Sequence, residues 1–343
     1  MGEVAQDILF ERKSPSLGRL ECTIGICAYN EERNISNLLQ SLINNRDLSK
    51  NAEILVVCSG CTDTTPQIVA QLSKMDRRIE LIVQRERLGK ASAINEILRR
   101  ASHEFIFLVP ADVLPAPHSL VAISEEFRDP SVGVACGSPL PINEGKSFSG
   151  YLARLVWRIH NRTLKHLSDS NLSTHASGEL MALRRGLIKA IPDYTVNDDA
   201  YVAIQAVSKG YHVKYSESAK VFMKAPSNVV DFIKQRRRII FGHHSVRRST
   251  GHFPRTLETM VYYDIGRVKT IMRQEIREHP SDLLKLALAI GLEFLVNALA
   301  LLDLATNRTH VSWSVATSTK DLSNGIPRVI TEYPQSINNT AGK

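Results

Sequence analysis

Glu104-Phe105-Ile106-Phe107-Leu108-Val109-Pro110-Ala111-Asp112-Val113-Leu114-Pro115 is the stretch on which the reading of this chain turns. An apolar run ended by Pro-Ala-Asp and followed by Pro115 and Pro117 predicts a buried strand that delivers one carboxylate to its C-terminal end. Ligands of open α/β sheets bind at that edge. Alone, Asp112 is equally well a turn residue or the cap of a following helix. Its neighbours along the chain change that balance.

Three strand-to-polar-loop-to-helix units precede it. The first runs from Glu21–Ala28 through Tyr29-Asn30-Glu31-Glu32-Arg33-Asn34 into an amphipathic helix with Ile35, Leu38, Leu39, Leu42 and Ile43 on one face. The second places Cys58-Ser59-Gly60-Cys61-Thr62-Asp63-Thr64-Thr65-Pro66 between strand Glu53–Val57 and a helix through Ile68, Val69 and Leu72. Small and hydroxylated residues there allow close backbone approach, and Thr62 or Asp63 can cap the helix. The third leads from Ile79–Val83 to Gly89-Lys90 at a helix start, without the upstream glycine of a Walker loop. Three such units in about 100 residues imply a mainly parallel sheet.

Composition narrows the class. The 343 residues are 43% hydrophobic, ample for a sizeable core. A net charge of +8 suits anionic partners without choosing among nucleotides, phospholipid headgroups and nucleic acid. Five cysteines argue against a disulfide framework and fit a reducing compartment; Cys58 and Cys61 have thioredoxin spacing but no second half of such a site follows. Met1–Leu20 lacks the apolar core of a signal peptide, so the main domain is expected in the cytosol.

Past Asp112, Ser131–Gly137 reads as a strand, followed by a Pro-rich loop and a helix over Tyr151–Leu167 carrying Trp157, Arg158, His160 and Arg162. Asn197-Asp198-Asp199 opens a helix that stops at Gly210, where acids favour the positive end of the helix dipole. A strand over His212–Tyr215 and the basic run Gln235-Arg236-Arg237-Arg238-Ile239 follow. By composition that run is a solvated face, a headgroup contact or a nucleic-acid contact; sparse aromatics and no recognised module speak against nucleic acid.

Ala28-Tyr29-Asn30-Glu31-Glu32, Ser59-Gly60-Cys61-Thr62-Asp63, Gly89–Asn95 and Ala111-Asp112 stand in the order and spacing of family-2 glycosyltransferases with the GT-A fold, and residues 20–240 resemble that family. The resemblance implies an α/β fold with a mostly parallel sheet and an inverting transferase using a nucleotide-sugar donor and a divalent metal, Mg2+ or Mn2+. It implies that Ala28, Tyr29, Glu31, Ser59, Asp63, Lys90 and Ala111 line the nucleotide-sugar site and that Asp112, matching the last carboxylate of the family's D-x-D motif, holds the metal. A hard cation takes oxygen ligands and offsets charge on the leaving diphosphate. Asp199 takes the place of the general base, with Asp198 in the Glu position before it. Ala176–Arg185 resembles the family's Gly-containing acceptor-side strand, which implies that Gly178, Glu179, Asp198, Gln235 and Arg238 fall on the acceptor and diphosphate side.

Three departures qualify the resemblance. Cys58 replaces the family's base-reading Asp, Pro110 replaces the first Asp of D-x-D, and Ile239 replaces the Trp of the Q-x-x-R-W motif of membrane-bound members. The first leaves the nucleobase open, the second leaves one protein ligand for the metal, and the third removes a platform for acceptor stacking.

Leu283–Leu304 is the last organising element. As a helix it would measure about 33 Å, against a hydrocarbon layer of ~30 Å. Glu293 near its middle would cost roughly 2.5 to 3.5 kcal/mol in a bilayer, and it shares one sector with Lys285 and Asn297. A span with a polar stripe, an interfacial helix and a helix buried on the domain all fit. For a span, Arg267, Lys269, Arg273 and Arg277 would keep the catalytic domain cytoplasmic.

The expected organisation is an N-terminal extension (1–20), a GT-A domain (21–250), a basic amphipathic connector (251–282), a membrane-associated helix (283–304) and a polar tail (305–343). The expected activity is transfer of a sugar to a lipid-linked or saccharide acceptor, with membrane association, a possible oligomer and no nucleic acid. Two rivals are a catalytically inactive nucleotide-sugar-binding protein and a membrane-surface adaptor using only the basic cluster.

Overall fold

The computed structural model describes residues 19–143 and 147–306. The extension expected over 1–20 and the tail expected over 305–343 lie outside the described residues except for their innermost positions, 19–20 and 305–306. Eight strands form one sheet: β1 (Thr23–Ala28), β2 (Glu53–Ser59), β3 (Ile79–Gln84), β4 (Phe105–Pro110), β5 (Val113–Pro115), β6 (Val132–Pro141), β7 (Met181–Arg184) and β8 (His212–Met223). Their order is β3-β2-β1-β4-β7-β6-β8-β5, and β7 and β5 run against the rest.

Alternation along the strands explains why helices cover both faces. Ile24, Ile26, Ile54, Val56, Phe107 and Val109 point to one core. It is closed by α1 (Ile35–Ile43), α2 (Thr65–Met75) and α4 (Ser119–Glu126). Leu55, Val57, Ile106 and Leu108 point to the other, closed by α3 (Lys90–Arg100) and α6 (Asp198–Ser208). Gly25 belongs to this second face: a Cβ there would stand 2.4 Å from Ile97 Cγ2, so the glycine lets α3 approach β1. The parallel α/β fold anticipated from the three repeated units is the one observed.

Three element boundaries differ from the sequence expectation. The strand expected over Ala176–Arg185 is confined to β7, because the chain up to Leu180 leaves the sheet in a turn that faces the strand ends. The Pro-rich segment after Gly137 is not a loop: β6 continues to Pro141, paired with a β8 that runs to Met223 rather than ending at Tyr215. Pro139 and Pro141 are tolerated there because β7 flanks β6 only as far as Cys136, leaving one side without a ladder to break. The thiols of Cys58 and Cys61 are both free.

A helical layer stands over the C-terminal strand ends. It comprises α5 (Phe148–Asp169), α7 (Val229–Thr250), α8 (Leu257–Met260), α9 (Ile265–Glu278) and α10 (Leu283–Ala305). Ser147 and Asn228 cap α5 and α7 by accepting from the Gly150 and Asp231 amides, and Gly251, at φ +78°, ends α7. Ion pairs fasten the layer. Arg162 of α5 meets Glu275 of α9 at 2.9 Å. Buried Arg236 of α7 bonds Glu293 of α10 at 2.8 Å and also pairs with Glu258 of α8, while Arg237 pairs with buried Asp303 of α10.

The α10 helix is long and apolar enough to cross a membrane by length and composition. Glu293, in the middle of its polar sector, faces the protein, whereas Lys285 is exposed and pairs with Asp282. Glu293 reaches α7, and Lys285 Nζ lies 5.3 Å from the Tyr151 ring centroid on α5. Leu286, Ala289, Val296 and Ala300 are buried, whereas Leu284, Leu288, Phe294, Leu295, Leu301 and Leu302 are exposed on the opposite side.

Removing one member of a buried ion network leaves the others uncompensated. Arg236→Met is therefore expected to lower unfolding free energy by about 3 kcal/mol in urea denaturation, and Arg236→Met/Glu258→Gln/Glu293→Gln to recover most of that loss.

Candidate active site

The loops after β1, β2 and β3 come together at the C-terminal edge. Asn30, held at φ +53°, donates from Nδ2 to Thr62 Oγ1 (3.0 Å) and accepts from the Thr62 amide (2.8 Å). The Glu31 amide donates to Thr65 Oγ1 (2.8 Å), and Glu32 accepts from the Thr64 amide (3.2 Å). Gly60 adopts φ +63°, and a Cβ on it would meet the Arg87 amide nitrogen at 2.5 Å. Only glycine fits both the torsion and the approach. The contact sets Arg87 with its guanidinium 3.9 Å from the Tyr29 ring centroid.

These loops form one wall of a cavity of about 1030 Å³ whose other walls are α5, α7, α8 and α10. Ala28, Tyr29, Glu31, Ser59 and Lys90 line it, as do Asp112, Gly178, Glu179, Asp198, Asp199, Gln235 and Arg238. Two expected residues do not. Asp63 accepts from the Thr65 and Glu32 amides and braces the two loops, and Ala111 is buried in the core behind Asp112. Glu31 and Ser59 have structural duties as well: Glu31 accepts from Asn34 Nδ2 (3.0 Å), and Ser59 Oγ accepts from the Leu88 amide (3.2 Å).

Carboxylates converge from separate elements. Asp112 stands in the turn between β4 and β5, Glu179 in the turn before β7, and Asp198 and Asp199 open α6. Lys90, the first residue of α3, meets Asp198 at 3.0 Å. Burial works against the Lys90 ammonium, but Asp198 and Asp199 outweigh it and hold its pKa above the ordinary lysine value. Burial and then the neighbouring Asp112 push Glu179 up to about 7. Burial also raises Asp112 and Asp199, against the pull of Lys90 on both. Arg238 is lowered by burial while Asp198, Asp199, Glu179 and Asp112 act in the other direction, and it stays a cation at neutral pH.

Packing holds Asp199 in place. A Cβ on Gly178 would stand 2.9 Å from Asp199 Oδ2, and one on Gly242 would stand 2.2 Å from Asn197 Oδ1, so α6 begins against two glycines. Asn197 Nδ2 also donates to the Ile239 carbonyl at 2.9 Å, joining α6 to α7. Sequence reasoning assigned no role to Arg87 or to His175 and His243, which also line the cavity. A basic residue two places before Gly89-Lys90 was a signal for the first. The histidines come from elements that only the fold brings together.

Among the described residues no group of three or more His, Cys, Asp or Glu side chains is arranged to hold a metal unaided. The donor set instead fits a cation that shares its shell with phosphate oxygens and water. Asp112 and Glu179 are two hard oxygen donors that repel one another, a repulsion that Lys90 and Arg238 relieve only in part.

Strand ends, helix N-termini and clustered acids with Lys90 and Arg238 come together at the C-terminal edge of a GT-A-type sheet. The family model described as Glycosyl transferase family 2 matches residues 23–191, and the chain carries that domain. It is 24% identical over 233 residues to a poly-beta-1,6-N-acetyl-D-glucosamine synthase of Staphylococcus aureus (strain COL), covering 65% of this chain and 55% of that protein. Identity is also 24% over 228 residues to the synthase of Staphylococcus epidermidis, covering 64% and 54%. The chain thus spans about half the length of the curated relatives it matches. A mannosyltransferase from Pyrobaculum calidifontis, solved with GDP-Man and Mn2+, shares the fold with a TM-score of 0.60 at 20% identity, covering 84% of this chain and 88% of that one.

The Glu179 carboxyl titrates near 7 when folded against 4.5 ordinarily, so its neutral form stabilises the fold fully below about 4.5 and that contribution is lost as pH rises through 7. Burying neutral His160 and His243 acts oppositely over overlapping pH, so the comparison must be between variants. Relative to Glu179→Gln, the wild type is expected to lose roughly 1–3 kcal/mol between pH 5 and pH 8 in urea titrations.

Proposed function

We propose that the protein is an inverting, metal-dependent glycosyltransferase that moves a sugar from a nucleotide-sugar donor to a lipid-linked or saccharide acceptor. The observation that carries this reading is the convergence of Asp112, Glu179, Asp198 and Asp199 with Lys90 and Arg238 in one cavity at the sheet's C-terminal edge. An adaptor using only surface charge needs no such buried balance.

Donor binding starts at the loops. Tyr29, backed by Arg87, offers a flat face to the nucleobase, while Lys90 and Arg238 supply donors for the diphosphate. Asp112 would hold the divalent cation, with Glu179 facing it; when bound, that cation supplies neutralisation of the charge developing on the leaving nucleoside diphosphate. Asp199 takes the proton of the acceptor hydroxyl as its oxygen forms a bond to the anomeric carbon. The bond from that carbon to the diphosphate breaks on the opposite face, and the electron pair leaves with the diphosphate. Burial raises the basicity of Asp199 and so suits it to this role.

The same cavity has an apolar arm between α5, α9 and α10, lined by Leu155, Val156, Met272, Leu286 and Ile290. It suits a lipid-linked acceptor, and the exposed apolar face of α10 suits seating on a membrane with Glu293 kept on the domain.

The test is release of nucleoside diphosphate from a panel of nucleotide sugars by purified protein, with and without Mg2+ or Mn2+. One donor should be turned over with metal. Asp112→Asn should abolish the metal dependence, and Asp199→Asn should lower kcat at least 100-fold with donor affinity within threefold. Binding without turnover that Asp199→Asn leaves unchanged would identify a non-catalytic binding protein instead.

A further inference from the structure

Beside Asp199 the cavity has a polar surface that the donor chemistry leaves unused. His160 of α5, His175 of the segment before β7 and His243 of α7 form an edge-to-face row, with ring centroids 5.5 Å apart between His160 and His175 and 5.8 Å apart between His175 and His243. All three line the cavity, and His175 and His243 are only 6% and 3% exposed. Among the described residues, His160 Nε2, His175 Nδ1 and both ring nitrogens of His243 are shielded from solvent with no hydrogen-bond partner, as are Thr163 Oγ1 and Ser177 Oγ beside them. Buried polar atoms left unmatched cost about 1–3 kcal/mol each, so six in one place mark a surface built for a ligand.

The chemistry of that surface selects its occupant. A neutral imidazole presents one donor and one acceptor, and a hydroxyl presents both. Burial pushes His160 and His243 down to about 3 and lowers His175, so the row stays uncharged at neutral pH. The charged groups facing it are Asp199 on α6, Glu258 on α8, and Arg236 and partly buried His244 on α7; Glu258 and Arg236 are already paired with each other. An anion gains little from neutral rings next to an acid, whereas a ring of hydroxyls matches them group for group.

We propose that His160, His175 and His243, with Thr163 and Ser177, form the acceptor subsite and bind the hydroxyls of a neutral saccharide unit, presenting one of them to Asp199. The inference rests on the transferase reading and specifies its acceptor as a sugar hydroxyl rather than a phosphate oxygen. The row also replaces, by hydrogen bonding, the stacking surface removed by Ile239.

The test offers the purified protein, with the donor found above, methyl glycosides of N-acetylglucosamine, mannose, glucose and galactose on one side and farnesyl phosphate on the other. Saturable transfer to a glycoside is expected, with its KM flat between pH 6 and pH 8. His243→Phe should raise that KM at least tenfold with donor KM within twofold, and His243→Gln should restore most of the affinity. Should His243→Phe fail to fold, shifts of the imidazole Cε1 proton signals of the wild type on titration with the glycosides read the same contact, and unmoved signals overturn it. Transfer that saturates only with farnesyl phosphate, or an acceptor KM that falls steeply as pH drops through 6.5, overturns the inference while leaving the transferase intact. Absence of any donor binding overturns the transferase reading first and the inference with it.

Discussion

The 3.0 Å pair between Lys90 and Asp198 is the constraint around which the site is arranged, because it joins the first turn of α3 to the first turn of α6. Each helix enters from a different part of the chain, yet both point their N-termini into the same space. Acids at the start of α6 are favoured by its dipole, while a lysine at the start of α3 is not, and the cross-link offsets that cost. With Lys90 fixed, Asp199, Glu179 and Asp112 share the field of one ammonium and the Arg238 guanidinium. Lys90 and Arg238 offset only part of the charge of these four acids, and Glu179 is pushed up to about 7 as a result of its burial and of Asp112 beside it.

Much of the sheet half was legible in the residues. Strands β1 to β4 are short apolar runs ended by polar loops, and their alternation between two cores follows from a period of two that any sequence displays openly. Asp112, Lys90, Asp198 and Asp199 could be picked out because each stands at a transition between elements. Asp63 could not be separated from its neighbours on the same evidence, since a loop carboxylate that braces two loops and one that faces a ligand look alike along the chain. The extents of β6 and β8 were hidden for another reason: pairing between them is decided by partners about 80 residues apart, and prolines in β6 masked a strand that is flanked on one side only.

The helical half was less legible still. Arginines at 236, 237 and 238 read as one basic cluster, but successive residues of a helix point about 100° apart. Arg236 and Arg237 therefore anchor α8 and α10, while Arg238 alone turns to the acids of the site. The histidine row shows the same limit in sharper form. Residues 160, 175 and 243 share no motif, and only the stacking of α5 and α7 over the turn before β7 makes them neighbours.

Gly178 leaves the sheet-edge wall with nothing to adjust, since any side chain there would strike Asp199. Variation in the size of the cavity has to come from the helices opposite, whose inward residues can be exchanged without breaking a single strand ladder. The molecule therefore separates a fixed wall at the sheet edge from a roof of helices that can be exchanged. On the proposed reading, remodelling α5 and α7 changes the acceptor while the acids at the sheet edge stay as they are.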